Sequence, residues 1–129
     1  MAFIDELRAG LGRRPHRIAP KWFYDELGST LFERICEQPE YYPTRTELAL
    51  LDRHAEDIAR HIGPGAEIVE FGAGASRKVR VLLDALQAPR RFVPVDISGE
   101  HLAAAAAGLR ADYPRLEVLP LAADFTVGE

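Results

Sequence analysis

The run Glu70-Phe71-Gly72-Ala73-Gly74-Ala75-Ser76 joins a short β-rich segment to a helix-forming one. Glycines at such a junction let a ligand approach the backbone, and the helix start offers free amides. A dinucleotide-binding loop would carry a third glycine at position 77, where this chain has Arg77. A tight turn without a ligand is the plain alternative. Two acids add specificity. Asp96 closes a second β-rich run, 24 residues after Gly72, and a carboxylate there can accept from both hydroxyls of a ribose. Asp124 follows a third run, where it can accept from an exocyclic amine. Either acid taken singly is equally well a loop or helix-capping aspartate. Three strand-end features in series fit a nucleoside ligand that lacks pyrophosphate, and S-adenosyl-L-methionine is the natural candidate. Its sulfonium needs no strong anion-binding nest, which suits the missing third glycine.

These residues need a scaffold that brings strand ends together. Glu67–Phe71, Arg91–Asp96 and Leu116–Leu121 read as strands. Val79–Leu86 and residues 99–112 read as helices, with Ser76 available to cap the first and five alanines at 103–107 favouring the second. Pro94 inside the second strand removes a ladder donor. Strand–helix–strand–helix–strand at this spacing predicts an α/β fold with parallel strands. Its ligand site then lies at the carboxyl ends of those strands.

The first half of the chain has a different rhythm. Phe3, Ile4 and Leu7 have helical spacing, broken by Gly10, Gly12 and Pro15. Arg13, Arg14, His16, Arg17 and Lys21 form a basic loop that reads as solvated surface. An aromatic stretch from Trp22 follows, interrupted by Gly28 and Ser29, with a new helix expected from the Thr30–Glu33 capping pattern. Thr44 and Glu47 repeat that reciprocal pattern before a helix carrying Leu48, Leu51, Ala55, Ile58, Ala59 and Ile62. Gly63-Pro64-Gly65 ends it.

Composition excludes several classes. Of 129 residues, 47% are hydrophobic and 28% charged, the balance of a globular domain rather than a disordered tail. Sixteen basic against 20 acidic residues leave a net charge of −4, which argues against a dedicated nucleic-acid binder. Cys36 has no internal partner and reads as packing, so no disulfide is expected. His54 and His61 share a helical face without a third ligand, so no metal site is expected. No secretory signal and no apolar run of membrane-spanning length is legible, so the expected compartment is the cytoplasm.

The chain resembles the histidine-specific, S-adenosylmethionine-dependent methyltransferases of ergothioneine biosynthesis. Pro20-Lys21-Trp22-Phe23-Tyr24-Asp25 and Gly28-Ser29 carry the first part of the likeness. Pro39-Glu40-Tyr41-Tyr42-Pro43-Thr44-Arg45-Thr46-Glu47 carries the most specific part. The glycine loop through Arg77-Lys78, then Pro94-Val95-Asp96-Ile97-Ser98 and Ala123-Asp124-Phe125, complete it. The resemblance implies a Rossmann-like class I methyltransferase sheet and a small-molecule amine, histidine, as acceptor. It implies that Gly72 and Gly74 lie against the cofactor and that Lys78 meets its methionine carboxylate. Asp96 would hold the ribose, Asp124 with Phe125 the adenine, and Tyr41 with Tyr24 the substrate. Serine or threonine is frequent in the family where Ala73 and Ala75 stand. No general base is implied.

Residues 1–64 are therefore expected to form a helical region contributing to the substrate site, and 65–129 a partial S-adenosylmethionine-binding domain. Three parallel strands make half of a doubly wound sheet. The first should be central, yet one of its edges has no partner in the sequence. The expectation is an N-terminal piece of a larger enzyme, with weak cofactor binding and no turnover by itself. A nonenzymatic nucleoside-binding module and a nicotinamide-dependent oxidoreductase fragment are the alternatives.

Overall fold

A computed structural model describes residues 3–126. Helix α1 spans Phe3–Leu11, and a 3₁₀ turn follows at Pro20–Phe23. Helices α2 (Glu26–Cys36) and α3 (Tyr42–Ile62) complete the helical part. Then come β1 (Glu67–Phe71), α4 (Arg77–Ala85), β2 (Arg91–Asp96) and α5 (Gly99–Asp112). Two short strands end the described chain, β3 (Glu117–Val118) and β4 (Leu121–Ala122). All pairings are parallel, in the order β1-β2-β3, with β4 also beside β2. The α/β architecture expected from the alternation is present.

The core lies between the sheet and helices α3, α4 and α5. Phe92 of β2 is fully buried among Val79 and Leu83 of α4, Ala106 and Leu109 of α5, and Ala59 of α3. The alanine run lets α5 sit close, with Ala106 and Leu109 sealed, Ala105 half-buried, and Ala103, Ala104 and Ala107 exposed. The β1 edge is paired on one side among the described residues, and Val69 and Phe71 are exposed.

Several local expectations change. The third strand is not continuous: Leu119 and Pro120 separate β3 from β4. In a parallel strand each residue's N–H and C=O point to one side. Phe92 O and Asp96 O accept from Leu119 N and Ala123 N. Pro94, in phase with them, therefore lacks its donor on that same side, and the outer strand divides opposite it.

Helix α2 starts at Glu26 rather than near Thr30, because Asp25 Oδ1 accepts from Gly28 N at 2.7 Å and caps it. Gly28 lies inside the helix, and a Cβ there would stand 1.7 Å from Phe23 O. Gly10 also lies inside its helix, for the same reason: its Cβ would stand 1.9 Å from Arg17 O. Helix α3 starts at Tyr42, with Pro43 in its first turn and no side-chain cap, so Thr44 and Glu47 do not form a capping box. Ser76 occupies the N-cap position of α4 without capping it; its φ is 58° and its hydroxyl finds no partner among the described residues.

Candidate functional site

One cleft of about 470 Å³ opens at the carboxyl ends of β1, β2 and β4, a size typical of small-molecule sites. Its walls come from both halves of the chain. Gly72, Gly74, Lys78, Asp96, Asp124 and Phe125 line one side, and Tyr24 and Tyr41 the other. The structure thus brings the eight candidate cofactor and substrate residues around one cleft.

The glycine loop has a left-handed backbone, φ 71° at Gly72 and 51° at Gly74. Side chains rarely adopt it. A Cβ at Gly74 would meet nothing within 4 Å, so the space over the loop is open. Asp96 fixes the loop: its Oδ2 accepts from Gly74 N at 3.0 Å and its Oδ1 from Ser98 N at 3.1 Å. An ionised carboxylate has about four acceptor positions, so each oxygen keeps one for a ligand. Ser76, 2% exposed and lining the cleft, leaves its hydroxyl unpartnered at the start of α4.

Lys78 is not simply solvated. Its Nζ lies 3.2 Å from Glu47 Oε1 on α3, which also lines the cleft. Near this pair, Glu70 Oε2 is buried without a hydrogen bond among the described residues. Burial pushes the Glu70 carboxyl above the usual range, with the Lys78 charge acting against that and Glu47 reinforcing it.

The aromatic wall is a row. Tyr24 and Phe32 meet edge to face at 5.9 Å, and Phe32 and Tyr41 at 6.0 Å. Tyr41 is half-buried in the cleft, whereas Tyr42 is 66% exposed and outside it. Arg45 holds the turn that presents Tyr41. Its guanidinium donates to the carbonyls of Pro39 at 2.8 Å, Gln38 at 3.0 Å and Tyr41 at 3.3 Å.

Sequence reasoning missed other cleft residues. His101 Nε2 lies 2.8 Å from Glu33 Oε1, tying α5 to α2 across the cleft. Their separation along the chain leaves no local signal. Lys21, read as surface, bridges Glu6 and Asp124 at 2.8 Å each. Asp124 is lowered to about 2, first by its hydrogen bond from Lys21 and then by those from Thr126. A lowered carboxylate stabilises the fold above its ordinary range, and that contribution is lost as pH falls through about 2. Asp124→Asn should therefore lower the thermal midpoint at pH 6, with the difference from wild type shrinking towards pH 2. A difference that stays constant across that range in thermal melts would contradict the pairing.

Residues 3–129 match the family described as histidine-specific methyltransferase, SAM-dependent. The histidine N-alpha-methyltransferase of Mycolicibacterium smegmatis is 43% identical over 123 residues, covering 93% of this chain and 38% of that protein. The enzyme of the same name from Mycobacterium tuberculosis is 39% identical, covering 97% of this chain and 40% of its own length. Ergothioneine biosynthesis protein 1 of Neurospora crassa is 40% identical over 91 residues, 68% of this chain and 10% of that protein. The chain thus spans well under half the length of each of these relatives. Its own match is nearly end to end, and it belongs to the family of histidine-specific, SAM-dependent methyltransferases.

Proposed function

We propose that the whole protein carrying this chain moves a methyl group from S-adenosyl-L-methionine to the α-amine of L-histidine or a related amino acid. One observation carries the reading: a single cleft gathers the glycine loop, the two strand-end acids and two tyrosines. Residues 1–64 then supply the substrate side and 65–129 the cofactor side.

The residues present suit the cofactor. The open space over Gly74, the free acceptor positions on Asp96 and the unpartnered Ser76 hydroxyl are what an adenosyl amino acid could fill. When bound, S-adenosylmethionine supplies a methyl group on a sulfonium that is already a good leaving group. The chain's own task is placement. Asp96 accepts from the ribose hydroxyls while holding the loop. Asp124 and Phe125 take the adenine. Lys78 offers its charge to the methionine carboxylate in exchange for Glu47. Tyr41 and Tyr24, kept apart by Phe32, orient the acceptor amine.

Calorimetric titration of the whole protein with S-adenosylhomocysteine and with NAD tests the reading. Binding of the first and not the second supports it. Binding of NAD, or of neither, removes it.

A further inference from the structure

Residues 3–23 close on themselves. Arg17 N donates to Gly10 O at 3.2 Å, and Phe3 and Trp22 stack edge to face at 4.9 Å. Trp22 Nε1 donates to Glu6 Oε2 at 2.8 Å, and Lys21 takes Glu6 Oε1. Lys21 then reaches Asp124 Oδ2, 103 residues further on. Among the described residues, this is the only ion pair joining residues 3–23 to the rest of the chain. The three side chains are only 20–27% exposed, so water screens them less than a surface pair.

Asp124 is held from two directions. Thr126 donates to Oδ1 through its amide at 3.0 Å and through its hydroxyl. Lys21 occupies one position on Oδ2, which leaves Oδ2 one acceptor position for a ligand. We propose that Lys21 is a positioning residue for the adenine end of the cofactor. It fixes the Asp124 carboxylate in the orientation that receives the exocyclic amine, and makes that contact depend on docking of residues 3–23. The proposal rests on the reading of Asp124 given under the proposed function.

The test compares S-adenosylhomocysteine with its inosine counterpart, in which an oxygen replaces the exocyclic amine and cannot donate. Both are titrated into the whole protein by calorimetry. Lys21→Met is expected to weaken the adenine compound roughly tenfold, the worth of one charge-assisted hydrogen bond. The inosine compound should bind as before. In an Asp124→Ala background, Lys21→Met should add no further loss. Unchanged affinity for the adenine compound, an equal loss for both compounds, or full additivity with Asp124→Ala overturns the proposal. Should Lys21→Met fail to fold, Glu6→Gln loosens Lys21 from the far side. It is expected to lower the adenine preference to a smaller degree, and an unaltered preference overturns the proposal. Wild-type protein that binds neither compound overturns the reading of the cleft, and this proposal with it.

Discussion

Asp96→Ala is expected to weaken S-adenosylhomocysteine binding roughly a hundredfold, from the loss of charge-assisted hydrogen bonds. Two effects combine. The variant removes the proposed acceptor for the ribose hydroxyls. It also releases Gly74 N and Ser98 N, so the loop loses the carboxylate that shapes it. Leaving a part-buried amide unpaired costs about 1–3 kcal/mol in the fold itself. Asp96→Asn retains one carbonyl oxygen, so its loss should be intermediate. Calorimetry gives the affinity and a thermal melt separates it from stability. Unchanged affinity in a folded Asp96→Ala variant would remove Asp96 from the ligand site.

Tyr41→Ala should raise the Michaelis constant for histidine roughly tenfold, with that for S-adenosylmethionine unmoved, because the proposed substrate contact is lost while the cofactor side is intact. Arg45→Lys should move the same constant in the same direction, less strongly. A lysine cannot fork to the three carbonyls that Arg45 holds, so the turn carrying Tyr41 loosens. In a Tyr41→Ala background, Arg45→Lys should then change little. Steady-state kinetics of the whole protein with each substrate varied checks both. An unaltered histidine constant in Tyr41→Ala would remove Tyr41 from the site.

The second half of the chain was legible because its signals are local. Alternating runs marked β1, α4, β2 and α5, and the glycines and Asp96 fall at their ends. Asp124 follows the same logic, although the strand before it is divided. That division was not legible, since it depends on Pro94 facing the outer strand rather than β1. The helical half is less legible. The Thr44–Glu47 pattern imitates a capping box, but the chain enters α3 at Tyr42, two residues earlier. Helix phase therefore decides that Tyr41 faces the cleft and Tyr42 faces outward, and that Glu47 is free to meet Lys78. The pairs Lys21–Asp124, Lys78–Glu47 and Glu33–His101 join distant segments. Only the assembled fold brings them within reach, and residue types give no hint of it.

Among the described residues, no helix is long and apolar enough to cross a membrane. The most direct measurement is mass spectrometry of the whole protein incubated with S-adenosylmethionine and an equimolar mixture of amino acids. The account predicts methyl groups on the α-amine of histidine or a close relative, lost in Asp96→Ala. Methylation elsewhere, or no transfer by protein that binds S-adenosylhomocysteine, would contradict it.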